Sequence, residues 1–420
     1  MDKFVVNGGK SLNGTIRVEG SKNAALPIII GALLFEEGEV TLENIPPIQD
    51  IFTVIQVLEY IGAKVDYDPE KRRATFDCSN LKNNTAPYDL MRKMRASFLV
   101  LGPLLARFGK ARVSLPGGCV LGARPVDFHI LGFRELGARI TEEAGYVVAT
   151  AKPLKAAAIH FDRPSHTGTE NIIFGAVLAE GETRIVNAAC DPEVVDVAEF
   201  LNMAGAKIKG AGTSTITIRG VKKLKPVKYK VSGDRLEAGT FLCGAAITGG
   251  KVKISGVSSS HLTMVSRKLY EMGCKITEGA SSVELKAPKK LNPIRVITYP
   301  YPGFPTDLQA CIMSLTTVAS GTSNIKETVF EDRFSHTMEL RRLGADITVT
   351  SDEAIVKGVD CLKGAGVMAS DIRAGAGLVI ACLAAQGTSE ILRVYHVDRG
   401  YHRLEEKLSS LGADIKRIKE

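Results

Sequence analysis

The chain has 420 residues and a mass of 45.0 kDa; 45% of its residues are hydrophobic, 24% charged and 6% aromatic, with no Trp. That length supports two or three domains with well-buried cores, and 41 Gly and 17 Pro without a biased tract exclude disordered and collagen-like chains. The formal charge of +8 is scattered, apart from Lys71-Arg72-Arg73 and the Lys-rich stretch 222–230, which suits a small anionic substrate better than a nucleic-acid stripe.

Met1 to Gly9 lacks the apolar core of a signal peptide, and the longest apolar run, near 26–35, is too short to span a bilayer. The chain therefore reads as soluble and cytoplasmic. Thr15-Ile16-Arg17-Val18 alternates like a strand, and the segment Phe4 to Glu19 is expected to complete a sheet of the other domain. Next comes a helix over 24–35, apolar nearly all round, which stops near Gly38; a short strand, a loop and an amphipathic helix then lead to the tag Ile61-Gly62-Ala63-Lys64-Val65. In that tag the Gly ends the helix in the left-handed conformation and the apolar residues open a strand.

The same order returns five times. Buried helices are expected over 95–108, 171–179, 238–248, 308–319 and 375–385, with stops near Gly109, Gly181, Gly250, Gly321 and Gly387. Tags follow at Gly137, Gly205, Gly273, Gly344 and Gly412, so successive tag glycines lie 75, 68, 68, 71 and 68 residues apart. The amphipathic helix 191–201 is typical: Asp191 is placed to cap it and Pro192 suits its first turn. Six βαβαββ-type units follow, with apolar helices inside and sheets outside. Three units close one bundle, so two domains are expected, 22–229 and 1–21 plus 230–420, with the Lys- and Pro-rich stretch 222–230 at the boundary.

Ser21, Asp89, Thr169, Asp234, Thr306 and Asp371 stand where the buried helices are expected to begin and can cap them. Helix N-termini gathered at one end present free N–H groups and partial positive charge, hence an anion-binding cleft between the two domains. Lys22, Arg92, Arg95, Arg235 and Arg373 lie at these starts, with Arg124, Arg333 and Arg399 after the short strands. Cys119, in the Gly-rich run 115–125, is a thiol that no strand or helix pattern would bury, placed for proton donation or nucleophilic attack. The other seven cysteines show no CxxC or Cys/His spacing and read as reduced core thiols. Asp307 reads as a helix cap or a general base. His396, Asp398 and Arg399 share one turn.

Ser21-Lys22-Asn23, Met94-Arg95-Ala96-Ser97, Pro116-Gly117-Gly118-Cys119, Gly122-Ala123-Arg124-Pro125-Val126-Asp127, Pro305-Thr306-Asp307-Leu308-Gln309-Ala310, Asp332-Arg333-Phe334 and His396-Val397-Asp398-Arg399-Gly400-Tyr401 together resemble the UDP-N-acetylglucosamine enolpyruvyl transferases along the whole chain. The resemblance implies an EPSP synthase-like, two-domain inside-out α/β barrel with the active site between the domains. It implies transfer of the enolpyruvyl group of phosphoenolpyruvate to the 3′-hydroxyl of UDP-N-acetylglucosamine by addition and elimination, releasing phosphate. That reaction opens peptidoglycan synthesis, and so serves cell-wall biogenesis, cell shape and division; the family is also the target of fosfomycin.

By the same resemblance, Lys22, Arg124 and Arg399 hold the phosphate of phosphoenolpyruvate and Arg333, Arg373 and Arg399 its carboxylate, with Asn23 nearby. Cys119 protonates the methylene carbon and can add covalently to phosphoenolpyruvate, Asp307 orients and deprotonates the hydroxyl, and Lys22 and Arg399 assist. Asn23, Arg95, Arg124, Pro125, Val126, Asp127, Phe128, Thr167, Gly168, Asp307 and Val329 contact the nucleotide sugar. The segment 163–171 is more polar than the turn expected to contact uridine and one residue longer, and His166 in it reads as a solvent-exposed loop histidine, with ligand contact as the alternative. No metal or organic cofactor, nucleic acid or membrane is implied, and a monomer is expected. The rivals are 5-enolpyruvylshikimate-3-phosphate synthase, which lacks the Cys loop, and a basic repeat scaffold, disfavoured by the absence of Trp and of aromatic-interleaved basic strips.

Overall fold

A computed structural model describes residues 2–92, 94–115, 126–151 and 153–419, the side chain of Arg95 excepted. Cys119, Arg124 and Pro125 thus lie outside the described residues. The chain divides into two compact units, one holding 20–115 and 126–232, the other 2–19 and 233–419. Each has its own hydrophobic cluster, centred in the first on residues such as Ile28, Phe174 and Phe200 and in the second on Phe241, Ile312 and Leu378.

Six helices are buried among apolar neighbours: Lys22–Gly31, Leu101–Phe108, His166–Val177, Arg235–Ile247, Gln309–Thr316 and Ile372–Ala384. They are apolar nearly all round, apart from the last turn of Leu101–Phe108 with its partly exposed Arg107, so enclosure is what satisfies them. Ile28, Ile29 and Ile30 are completely buried, each contributing roughly 1.5–3 kcal/mol of apolar burial. Short 3-10 turns, Arg95–Val100 and Thr306–Leu308, lead into two of these helices.

The strands form six four-stranded sheets, three in each unit among the described residues. One example gives the pattern. Ala158–His160 runs parallel to Glu182–Val186 across the buried helix His166–Val177; Thr215–Arg219 pairs antiparallel with Glu182–Val186, and Lys207–Lys209 antiparallel with Thr215–Arg219. A parallel pair requires such a crossover. Within Glu182–Val186 the side chains of Thr183 and Ile185 face inward and Glu182 and Arg184 outward, the two-residue alternation of a half-buried strand. Lys228–Lys230 completes the sheet of Glu39–Glu43 in the first unit. At the other end of the chain, Lys3–Asn7 inserts between Thr388–Leu392 and Asp414–Ile418, and Asn13–Arg17 pairs with Lys251–Ser255, so the N-terminal strands serve two sheets of the second unit.

The tag glycines behave as expected. Gly62, at φ 114°, ends Gln49–Ile61 and donates to the carbonyls of Leu58 and Glu59, and the other five also have positive φ. At the second unit's first buried-helix stop, Gly249 rather than Gly250 takes the left-handed conformation.

Three expected caps form: Ser21 accepts from the Ala24 N–H, Asp234 from Leu236 and Glu237, and Asp371 from Arg373 and Ala374. Three do not. Asp89 belongs to a separate short helix, Tyr88–Met91. The third core helix starts at His166, well before Asn171, because Ser165 accepts from the Gly168 N–H; Thr169 therefore lies inside the helix, its hydroxyl accepting from Ala189 N. Thr306 sits in a 3-10 turn after Pro305 and donates to Glu327 instead. Asp191 precedes Pro192 as expected but makes no side-chain cap, its carboxylate lying 3.7 Å from His166 Nδ1.

Candidate active site

The 3-10 turn Thr306–Leu308 delivers Asp307 to two arginines of the second unit. Asp307 Oδ1 accepts from Arg333 Nη2 at 3.0 Å, and Oδ2 accepts from Arg373 Nε at 3.1 Å. Arg373 Nη2 also lies 3.0 Å from Oδ2, but outside hydrogen-bond geometry. Both arginines are only 4% exposed, whereas the Asp307 side chain keeps 26%. Arg373 stands in the first turn of its core helix behind the Asp371 cap, and its Nη1 donates to the Tyr401 hydroxyl at 3.1 Å, which shares a 2.9 Å hydrogen bond with Thr240. Burial works against the charge on Arg373, but the Asp307 carboxylate outweighs it and holds the guanidinium above its ordinary value. Two nearly dehydrated guanidinium groups thus share one carboxylate. The pair of forks suits a further carboxylate or phosphate, which each can grip bidentately.

His336 packs behind this pair. Its Nδ1–H donates to the Arg333 carbonyl at 3.1 Å, and burial pulls the imidazole down to about 4, so the ring is neutral at pH 7. Val329 follows two residues after the buried Glu327 and donates its N–H to Glu327 Oε1 at 2.8 Å. In the turn Tyr395–Asp398, the Asp398 carboxylate is gripped by Arg417 Nη1 and Nη2 at 3.0 and 2.6 Å. His396 stacks on Tyr395 with ring centroids 4.3 Å apart, and burial followed by the nearby Arg399 charge lowers its pKa.

In the first unit, Lys22 opens a core helix beside Asn23, and its Nζ lies 3.5 Å from Asp50 Oδ2. Val126, Asp127 and Phe128 begin the helix Asp127–Glu135. A buried polar network fastens this helix to the one carrying Thr167 and Gly168. Asn171 accepts from Gly102 N at 2.8 Å, so its amide nitrogen faces His129 Nδ1, also at 2.8 Å. Nδ1 is therefore an acceptor, and the ring proton on Nε2 points at Thr167 Oγ1, 3.3 Å away. A Cβ built at Gly168 would lie 3.2 Å from Phe128 Cβ. Phe128, Thr167 and Gly168 are thereby brought together.

His166 is not an exposed loop residue. It begins the helix, with Nε2 3.0 Å from the buried Glu170 carboxylate. Burial disfavours its charged ring, but Glu170 and Asp191 override that and push it up to about 10.

Of the described cysteines, 78, 243, 274, 311 and 382 are buried, and 190 and 361 are partly exposed. Burial pushes Cys311 up to about 11 and Cys78, Cys274 and Cys382 to about 12, which makes them inert as nucleophiles at neutral pH. Cys119 lies outside the described residues, as do Arg124, Pro125 and the Arg95 side chain. Sequence reasoning missed Glu327, His129, Asn171, His336 and Tyr401. The only signal available was that polar side chains at the apolar positions of strands and helices require partners.

The chain matches the EPSP synthase (3-phosphoshikimate 1-carboxyvinyltransferase) family over residues 6–408 and belongs to that family. It is 52% identical to the UDP-N-acetylglucosamine 1-carboxyvinyltransferase of Trichlorobacter lovleyi and 51% identical to that of Myxococcus xanthus, each alignment covering 100% of both chains. Within the family, the chain thus groups with the UDP-N-acetylglucosamine 1-carboxyvinyltransferases. Among solved structures it is similar to the enolpyruvyl transferase NikO from Streptomyces tendae, with a TM-score of 0.89 and 26% identity over 99% of this chain and 98% of that one. An EPSP synthase from Acinetobacter baumannii, at 21% identity and a TM-score of 0.77 over 100% of both chains, shares the fold. The EPSP synthase-like fold that the resemblance implies is therefore the one observed. No helix among the described residues is long and apolar enough to cross a membrane.

Proposed function

We propose that this protein transfers the enolpyruvyl group of phosphoenolpyruvate to the 3′-hydroxyl of UDP-N-acetylglucosamine and releases phosphate. The observation that carries this reading is the buried Arg333–Asp307–Arg373 cluster, in a chain 52% identical over its whole length to a UDP-N-acetylglucosamine 1-carboxyvinyltransferase. Lys22, Arg124 and Arg399 take the substrate phosphate, and Arg333, Arg373 and Arg399 its carboxylate. Asn23, Arg95, the run 124–128, Thr167, Gly168 and Val329 take the nucleotide sugar.

Cys119 gives its thiol proton to the methylene carbon, and the cationic centre that results is attacked by the sugar oxygen while Asp307 accepts the hydroxyl proton. The Cys119 thiolate takes a proton back from the new methyl group, which restores the double bond as the carbon–oxygen bond to phosphate breaks and phosphate leaves. Asp307 is held between two guanidinium groups; a substrate carboxylate that takes over those groups frees it to meet the sugar hydroxyl. The wider role in cytoplasmic peptidoglycan synthesis, as a monomer and as a fosfomycin target, belongs to the same proposal.

Phosphate release from phosphoenolpyruvate, measured with UDP-N-acetylglucosamine and with shikimate 3-phosphate as acceptors, tests it. Turnover is expected with the first only, and turnover with shikimate 3-phosphate alone refutes the reading. Cys119→Ser should lose most turnover, and fosfomycin should add one covalent mass to the wild type and none to the variant. A fully active Cys119→Ser protein would remove the proposed role of the thiol.

A further inference from the structure

Glu327 follows the strand Thr322–Lys326 and is 3% exposed, and its carboxylate is taken up by the protein itself. Its two oxygens accept four hydrogen bonds from three separate segments. Oε1 accepts from Thr298 Oγ1 at 2.7 Å, from Val329 N at 2.8 Å and from Phe330 N at 3.2 Å, and Oε2 accepts from Thr306 Oγ1 at 2.9 Å. Only a carboxylate has enough acceptor sites for four donors and no hydrogen of its own to clash with them. The Thr298 hydroxyl in turn accepts from Thr328 N at 3.0 Å, which closes the 327–330 loop on the end of the neighbouring strand.

Each donor adjoins a residue of the site. Thr306 precedes Asp307 in the same 3-10 turn. Phe330 places its ring under the Arg333 guanidinium, 5.4 Å from centroid to carbon. Val329 is itself a proposed contact of the nucleotide sugar. We propose that Glu327 is a positioning residue for carboxyvinyl transfer, fixing through Thr306 the turn that aims Asp307, and through Val329 and Phe330 the loop that carries the sugar contact and backs Arg333. This rests on the reaction proposed above.

The test uses the full-length protein in the phosphate-release assay, with Thr306→Val, Thr306→Ser and Glu327→Gln. Thr306→Val keeps the side-chain volume but removes the hydroxyl that ties the Asp307 turn to Glu327. It should lower kcat by about 10–100-fold, the effect of misplacing a catalytic group by roughly an ångström, while KM for phosphoenolpyruvate stays near the wild-type value. Thr306→Ser, which restores the hydroxyl, should recover most of kcat. Glu327→Gln retains the acceptor for three donors and offers its amide to the Thr306 oxygen, so its loss should be the smaller. Wild-type kcat in Thr306→Val, or an equal loss in Thr306→Ser, overturns the positioning role while leaving the reaction intact. A wild-type protein that releases no phosphate with UDP-N-acetylglucosamine overturns both.

Discussion

Replacing Asp307 with Ala removes the carboxylate that Arg333 and Arg373 share, and the geometry sets the size of the effect. Both guanidinium groups are 4% exposed, and breaking a fully buried ion pair by deleting one partner costs about 3–5 kcal/mol, because the remaining charge is left uncompensated. The Asp307 side chain is 26% exposed, so water screens part of the interaction and about 2–3 kcal/mol remains. For a domain of this size each kcal/mol shifts Tm by about 2–4 °C, so a fall of roughly 4–12 °C is expected in scanning calorimetry. Phosphoenolpyruvate should then act differently on the two proteins. In the wild type its carboxylate competes with Asp307 for the arginines; in Asp307→Ala it meets two guanidinium groups released from that carboxylate, with Arg373 still bonded to Tyr401. Each tenfold gain in affinity adds about 1.4 kcal/mol of stabilisation at a fixed excess of ligand, so the same concentration should raise Tm more in the variant, although turnover is lost. An unchanged Tm in Asp307→Ala, or an equal rise in both proteins with phosphoenolpyruvate, would refute the shared-carboxylate argument.

Two further predictions concern the scaffold. The His166 ring is held charged by Glu170 and Asp191 up to about pH 10, so its contribution to stability is complete below the ordinary histidine value and fades as pH rises through 10. His166→Val should therefore lower Tm at pH 6, and the gap should narrow by pH 10; a constant gap would show that the charge is not responsible. At Gly377 an added Cβ would sit 2.9 Å from the carbonyl carbon and oxygen of Ala310, in the backbone of the adjacent core helix, where Ser314 also donates to the Gly377 carbonyl at 2.7 Å. Gly377→Ala should cost about 1–3 kcal/mol in denaturant unfolding, whereas Gly366→Ala, with no atom within 4 Å of the new carbon, should be tolerated. Equal stability of the two variants would count against tight packing between these helices.

The six-unit plan was legible because its signals are local. A glycine that must take positive φ and a helix apolar on every side announce themselves within a few residues, and their spacing then counts the repeats. The caps were harder. Between 163 and 171, Ser165, Thr167 and Thr169 can each cap the start of a helix, and the choice of Ser165 leaves Thr169 to accept from Ala189, twenty residues away. Asp191 has a capping position but a stronger electrostatic partner in His166. His166 itself looked like a surface residue because its partner Glu170 is polar, and only the packing shows that carboxylate to be buried.

The motifs around Lys22, Asp307, Arg333 and Arg399 already point to an anion-handling family in the sequence. Local pattern gives the repeat and the two-domain plan, and the resemblance of the motifs gives the fold and the substrates. Which charges meet is settled by the packing: Asp307 bonds to arginines 26 and 66 residues away, and Glu327 gathers donors from 298, 306 and 329–330. Hydrogen bonds and ion pairs depend on ångström distances between segments, and burial sets their strength. Neither quantity is written in the order of the residues.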